Sequence, residues 1–142
     1  MSGLRTVREV MSPEVTTLGI NDSLNIADDI MSLGRIRHLP VLDGDGAVAG
    51  VLSQRDLFRG ALARALGYGE HAQSKLLGIL KVKEVMTNDP ATIGPDEDLS
   101  TAAQILYDRK IGCLLVVENE ELVGILTEGD FVRLKLPISA GR

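Results

Sequence analysis

The sequence predicts an α+β fold made of two copies of one β-α-β-β-α unit. The first observation is a repeat, since Val7-Arg8-Glu9-Val10-Met11-Ser12 returns as Val82-Lys83-Glu84-Val85-Met86-Thr87 at an offset of 75 residues (86 − 11). The second is that short β-branched runs alternate with apolar residues at helical spacing in each copy. A unit of about 60 residues buries little surface alone. We therefore expect the copies to pack pseudo-symmetrically through their sheets and share a core.

The first half of each copy predicts a short strand followed by a helix. Residues 15–18 and 91–93 are brief and rich in β-branched side chains, which favours strands. Apolar residues then recur every three or four positions, which is typical of a helix with one buried face. Ser23 and Asp98 stand just before these stretches and are the predicted N-caps.

The second half of each copy predicts two paired strands and a closing helix. The loop of the first pair, Asp43-Gly44-Asp45-Gly46, is a strong turn signal. The closing helices begin near Ser53 and Thr127. The predicted strands are residues 38–42 and 48–52 in the first copy, and residues 113–117 and 122–126 in the second.

These elements divide the chain into three parts: a first repeat (7–59), an intervening helical segment (60–81) and a second repeat (82–134). The intervening segment carries apolar residues and has no counterpart after the second repeat. The favoured interpretation is a helix that covers the sheets. The alternative is a surface for a second protomer or a partner protein.

The composition excludes several classes of function. A net charge of −5 argues against a general nucleic-acid binder, which needs a basic face for phosphates. The single cysteine allows no intramolecular disulfide, as suits a reducing compartment. No apolar run approaches the about 20 residues of a membrane span, and the N-terminus does not resemble a signal peptide. We expect a cytoplasmic protein with neither nucleic acid nor membrane as a partner.

Catalytic motifs are also missing from the sequence. His38 and His71 show no metal-ligand spacing with Cys113. No nucleophile motif and no glycine-rich phosphate loop before a helix is present. The sequence therefore predicts a non-catalytic protein without a metal site or an obligatory cofactor. Cys113 is interpreted as a small buried side chain at the start of a strand.

A Ser/Thr-x-x-Asp motif ends the strand pair in both copies, as Ser53 to Asp56 and Thr127 to Asp130. The local pattern favours a capping box, which satisfies free N–H groups at a helix start. Both copies, however, carry Asp where the box prefers Glu or Gln. A carboxylate there could also accept two hydrogen bonds from a vicinal diol such as that of ribose. The two roles are compatible.

Basic residues gather at one strand entrance of an acidic chain, in Arg35-Ile36-Arg37-His38. A solvated surface cluster is one interpretation. The other is a phosphate clamp, because guanidinium groups offer a planar fork of donors. The second copy has Gly112, Cys113 and Gly129 in place of Arg37, His38 and Arg55. The two copies are therefore chemically unequal.

Taken together, these motifs resemble a tandem pair of CBS domains, the modules named after cystathionine beta-synthase. The matching points are Val-x-Glu-Val-Met-Ser/Thr at the start of each copy, Arg-His-Leu-Pro-Val-Leu-Asp in the first copy, and Gly-x-Leu-Ser/Thr-x-x-Asp in both. The resemblance covers roughly residues 7–134. It implies two repeats packed through their sheets, frequent dimers, and adenosine ligands in the clefts between the copies.

Carried over residue by residue, the resemblance implies three groups of contacts. Ser53, Asp56, Thr127 and Asp130 would lie at ribose. Arg37, His38 and Arg55 would face phosphates, and Thr16, Pro40, Val51 and Thr92 would lie on the adenine side. Leu115 replaces the proline found at Pro40, which changes the backbone on the adenine side of the second copy.

The functional hypothesis is an energy-sensing regulatory module. It binds AMP, ADP or ATP between its repeats and signals to an unidentified protein through the geometry of a homodimer; S-adenosylmethionine ranks behind these ligands. The alternative is a structural dimerisation or adaptor module that binds no ligand.

Overall fold

The computed structural model describes residues 5–65 and 77–135 and has the α+β architecture that the sequence predicts. In chain order the elements are α1 (Val7–Val10), β1 (Leu18–Gly19), α2 (Leu24–Gly34), β2 (His38–Leu42), β3 (Val48–Ser53), α3 (Gln54–Ala65), a 3-10 turn (Val82–Glu84), β4 (Thr87–Asn88), β5 (Thr92–Ile93), α4 (Leu99–Arg109), β6 (Cys113–Glu118), β7 (Glu121–Thr127) and α5 (Glu128–Arg133).

The elements form two compact units whose limits differ from those of the sequence repeats. Residues 16–90 form one unit, called here the continuous unit. Residues 1–15 and 91–142 form the other, called the split unit. The continuous unit has a sheet of order β1-β2-β3-β4, and the split unit has a sheet of order β5-β6-β7.

Each unit buries one face of its sheet against its helices. In the continuous unit, Leu39 and Leu52 lie opposite each other on β2 and β3, and both pack in a core with Leu24 of α2. In the split unit, Leu114 and Leu126 hold the corresponding positions on β6 and β7. Since cross-strand partners share a face, this register also defines a non-core face in each unit.

The opening motif of the first repeat packs on the core of the second repeat. We call residues 5–12 the first docking segment. The N–H groups of Val7 and Arg8 donate to the carbonyls of Glu97 and Pro95 at 3.0 and 2.8 Å. Val7 is fully buried in the core of the split unit. Within this segment, Glu9 accepts from the N–H and hydroxyl of Thr6, which lowers the pKa of that carboxyl.

The opening motif of the second repeat repeats this arrangement in the continuous unit. We call residues 80–87 the second docking segment. Val82 N–H donates to the carbonyl of Asp22 at 2.8 Å, and Lys83 N–H to that of Ile20 at 3.0 Å. Val82 is fully buried among the residues of that core. Each repeat therefore completes the core of the other.

A glycine in each sheet lets the docking segment approach closely. A Cβ at Gly50 would lie 2.6 Å from the Thr87 carbonyl oxygen and 2.8 Å from Met86 Sδ. A Cβ at Gly124 would lie 2.5 Å from Met11 Sδ. Distances this short require the docked segment to move, because packed cores have little free space.

We expect Gly50→Ala to lower the free energy of unfolding by about 1–3 kcal/mol, the usual range for an overpacked core site. Gly44 lies in the first hairpin loop, with nothing within 4 Å of an added Cβ. Gly44→Ala is thus the matched control and should change stability little. Urea unfolding of the three proteins measures the difference, and equal midpoints would contradict the close approach.

The hairpin loop explains why the repeat offset changes from 75 to 74 after the second strand. Val41 pairs with Gly50, whereas Val116 pairs with Gly124, so the second hairpin is one residue shorter. In the first loop, Asp43 Oδ1 accepts from the N–H groups of Asp45 and Ala47 at 2.8 and 3.0 Å. The second loop turns instead through two left-handed residues, at positions 119 and 120.

Ser23 and Asp98 occupy the predicted N-cap positions, but neither side chain makes a capping hydrogen bond. The docking segments supply backbone partners there instead. Leu24 N–H donates to the Leu80 carbonyl at 3.0 Å. Leu99 N–H donates to the Arg5 carbonyl at 2.8 Å. The predicted position was correct, and the predicted chemistry of the cap was wrong.

The first strand is shorter than predicted, and the intervening segment is described only in part. The predicted first strand (15–18) is observed as Leu18–Gly19, because pairing with β2 begins only at Leu18. In the intervening segment, α3 continues to Ala65, and residues 66–76 lie outside the described part of the chain.

Over residues 5–65 and 77–135, no helix is long and apolar enough to cross a membrane, and no group of three potential metal ligands occurs.

Candidate functional site

The non-core face of the continuous unit collects four of the predicted site residues. His38 pairs with Ser53, and Pro40 pairs with Val51. Val51 also pairs with Thr87 of β4. Because directly opposed residues point to the same side of a sheet, all five side chains belong to one face. Ser53, His38, and Pro40 with Val51 are the residues predicted for ribose, phosphate and the adenine side, respectively.

Asp56 lies in the first turn of α3, directly beyond this face. It forms the predicted capping box: its N–H donates to Ser53 Oγ at 3.0 Å, and its Oδ2 accepts from Ser53 N–H at 3.3 Å. The same Oδ2 also accepts from the Thr87 hydroxyl at 3.1 Å. Within the described residues Asp56 Oδ1 has no partner. One carboxylate oxygen therefore holds the backbone, and the other is open to a ligand.

Two arginines lie beside the start of α3 and form what we call the basic corner, made of Arg37, Arg55 and the N-terminus of α3. The carbonyl of Arg37 accepts from Gln54 N–H at 2.7 Å. Because Arg55 follows Gln54 in the chain, this hydrogen bond places the backbones of the two arginines close together. Both are exposed, and neither forms an ion pair with any described residue. Unpaired guanidinium groups next to a helix N-terminus favour an anion.

Thr16 and Thr92, both predicted for the adenine side, do not hold equivalent positions in the two units. Thr16 is exposed and precedes β1. Thr92 lies on β5 opposite Leu115, and the matching register of β1 makes Thr17 its counterpart. Thr16 thus corresponds to Ala91, whose carbonyl accepts from Leu115 N–H at 3.0 Å.

That last hydrogen bond cannot form in the continuous unit. Pro40 stands at the position of Leu115 and has no N–H group. The carbonyl of Thr16 therefore lacks the partner that Ala91 has. The proline thus removes from β2 a backbone donor that the second repeat keeps in β6.

The equivalent region of the split unit has lost its positive charge. Glu128 N–H donates to the Gly112 carbonyl at 3.1 Å, as Gln54 does to Arg37. Gly112 and Gly129 replace the two arginines of the basic corner. On the non-core face of the split unit, Cys113 is buried as predicted, with Thr127 opposite it.

Asp130 is more enclosed than Asp56, with 8% of its surface exposed. Its Oδ2 accepts from Thr127 N–H at 2.8 Å, and its Oδ1 accepts from Arg133 Nη2 at 3.1 Å. Both oxygens of the carboxylate are engaged within the split unit. Two similar motifs therefore hold their carboxylates in different hydrogen-bond arrangements.

The structure groups the predicted residues by unit. The continuous unit holds Thr16, Arg37, His38, Pro40, Val51, Ser53, Arg55 and Asp56, and the split unit holds Thr92, Thr127 and Asp130. Thr87 and Arg133 contact the two carboxylates but were not predicted as site residues. Thr87 belongs to the repeated Met-Ser/Thr pair, and Arg133 lies one helical turn after Asp130, so both positions carried a signal.

Comparisons with known proteins agree with this architecture. A CBS domain-containing protein of Dictyostelium discoideum is 26% identical over 133 residues, covering 93% of this chain and 92% of that protein. The homoserine O-acetyltransferase of Methanohalophilus mahii is 32% identical over 126 residues. That match covers 88% of this chain and only 23% of the enzyme, so the similarity is to a minor part of a longer protein.

Two solved structures are similar over nearly the whole chain. The CBS domain pair of protein MJ0100, in complex with 5-methylthioadenosine and S-adenosyl-L-methionine, has a TM-score of 0.75 and 28% identity, covering 93% of this chain and 96% of that chain. CBSX2 in complex with AMP has a TM-score of 0.74 and 29% identity, covering 92% and 95%. The CBS domain family model matches residues 7–63 and 82–136, so the chain belongs to the CBS domain family and carries two copies of the domain.

Proposed function

We propose that this chain is a non-catalytic regulatory module that binds an adenine nucleotide (AMP, ADP or ATP) at the first repeat. Ribose would bind the open oxygen of Asp56, and the phosphates would bind the basic corner. The base would lie along the non-core face near Pro40 and Val51. Two similar CBS pairs bind adenosine compounds, which supports the class of ligand.

The basic corner is the observation that carries the choice of ligand. Arg37 and Arg55 are exposed and without an ion pair in the described part of an acidic chain. Phosphate oxygens are strong acceptors for guanidinium groups. S-adenosylmethionine instead carries a positive sulfonium centre, which two arginines would repel. The local charge therefore favours a nucleotide with phosphates.

Signalling would pass through a homodimer to a regulated protein. The continuous unit exposes Leu33 (87%) and Phe58 (63%), together with Ile26, on its helices. At the counterparts of Leu33 and Phe58, the split unit has Asp108 and an exposed Val132. Large exposed apolar side chains on helices support association with another protein surface. A nucleotide shifts such a system only if it binds two dimer geometries with different affinity.

The same exposed residues favour the second candidate, a dimerisation or adaptor module that binds no ligand. The two candidates differ in one measurement. Calorimetric titration with AMP, ADP and ATP should give saturable binding if the regulatory proposal is correct. If millimolar nucleotide gives no heat of binding and no thermal shift, the adaptor module is the better explanation. Sedimentation with and without nucleotide then tests whether the ligand alters assembly.

The phosphate assignment predicts a loss that depends on the ligand. Arg37→Gln should weaken ATP binding about tenfold, since a hydrogen bond to a charged group is worth about 1.5–3 kcal/mol. Adenosine has no phosphate, so its affinity should not change. Arg109→Gln makes the same change of net charge at the end of α4 and serves as the control. An equal loss for adenosine and ATP would contradict the assignment.

A further inference from the structure

The two proposed ribose carboxylates differ in what occupies their second oxygen. Asp56 and Asp130 each accept the N–H of their own N-cap residue through Oδ2. Asp56 Oδ1 has no partner in the described residues, whereas Asp130 Oδ1 accepts from Arg133 at 3.1 Å. A vicinal diol needs a free acceptor oxygen, and only one of these carboxylates offers it.

Local sequence does not explain this difference. Arg59 stands three residues after Asp56, just as Arg133 stands three residues after Asp130. Arg59 forms no ion pair with any described residue. In the continuous unit the additional donor to the carboxylate is the Thr87 hydroxyl, which binds Oδ2 and leaves Oδ1 open.

We infer that Arg133 is a blocking residue that keeps the second repeat from binding a nucleoside. The inference rests on the proposed function, because it concerns the same kind of ribose contact. A diol could reach Asp130 only by displacing the Arg133 guanidinium from a carboxylate whose side chain is 12% exposed. The second repeat also has Gly112 and Gly129 at the positions of Arg37 and Arg55, so the phosphates of a ligand would find no guanidinium groups there. The chain then takes up one nucleotide, at the first repeat.

The block can be removed because Arg133 lies at the surface. Its side chain is 62% exposed, so the guanidinium can leave without disturbing the core. An ion pair with one exposed partner is modest in strength. Arg133 is therefore a specificity-determining residue whose removal should create a second site, with Asp130 and Thr127 still in place.

Adenosine is the probe that tests the block, since a nucleoside does not require phosphate contacts. The full chain, Arg133→Gln and the matched control Arg59→Gln are titrated by calorimetry. We expect one adenosine per chain for the wild type and for Arg59→Gln, and two for Arg133→Gln. The affinity of the second site should rise by about tenfold or more, which brings it into the measurable range.

Other outcomes overturn the inference in distinguishable ways. Two adenosines per wild-type chain would show that Arg133 does not block. A single adenosine, or none, for Arg133→Gln would show that Asp130 is not a latent site. Arg133→Met, which keeps the aliphatic stem, repeats the test should the glutamine variant unfold early in a thermal scan. The proposed function is judged separately, by the titrations with AMP, ADP and ATP.

Discussion

Deletion of residues 1–15 should unfold the second repeat and leave much of the first intact. The deleted residues precede the first repeat, but Val7 and Val10 are buried in the core of the split unit. Losing these two side chains removes about 3–6 kcal/mol of burial, before the backbone hydrogen bonds are counted. Hydrogen exchange followed by mass spectrometry should show fast exchange in residues 91–135 and slower exchange in residues 16–65.

Two matched point variants separate this expectation from a general loss of stability. Val7→Ala should raise exchange mainly in residues 91–135, and Val82→Ala mainly in residues 16–65. Both valines are fully buried, and they hold the same position in the two repeats. The cost of each should be about 2 kcal/mol. If each variant instead raised hydrogen exchange in its own repeat, the assignment of each docking segment to the core of the other repeat would be wrong.

Asp56→Asn should weaken nucleotide binding about a hundredfold while leaving most of the stability in place. The amide oxygen can still accept from Ser53 N–H and from the Thr87 hydroxyl, so the cap persists. The amide NH2 replaces the open Oδ1 and cannot accept from a diol. Two lost hydrogen bonds to a charged group amount to about 3 kcal/mol, which is about a hundredfold in affinity.

The corresponding change in the second repeat is the control. Asp130→Asn breaks the ion pair with Arg133, so it should cost stability of about 1 kcal/mol or less, because Arg133 is mostly exposed. Nucleotide affinity of the folded protein should stay at the wild-type value. Calorimetry and urea unfolding on both variants measure the two effects. Wild-type affinity in Asp56→Asn would exclude ribose binding by this carboxylate.

Much of the fold could be predicted because strand pairing follows local patterns. The short apolar runs at residues 38–42 and 113–117, each followed by turn residues, predicted both hairpins within a residue. The capping box at Ser53 and Asp56 was also confirmed. The unequal charge of the two repeats could be seen as well, since Arg37 and Arg55 face Gly112 and Gly129 in the alignment of the copies.

The roles of individual donors were harder to predict. An Arg three residues after an Asp on a helix can pair with it, but the sequence contains this spacing twice, at Arg59 and at Arg133. Only Arg133 makes the pair. Asp56 instead accepts from the Thr87 hydroxyl, which lies on a strand 31 residues away in the chain. A contact over that separation has no local signature.

The duplication, the order of elements in each copy and the absence of Arg37 and Arg55 equivalents from the second copy could all be predicted from the residues in order. Which core each opening motif completes is defined only by the folded chain. The two motifs are nearly identical, with Val7 and Val82 equally apolar, so each fits either core chemically. The chain resolves this ambiguity through long-range backbone pairing, such as Val7 to Glu97 and Val82 to Asp22. Such pairing depends on how the bends before α2 and α4 present their carbonyl groups in the folded chain, which no local pattern encodes.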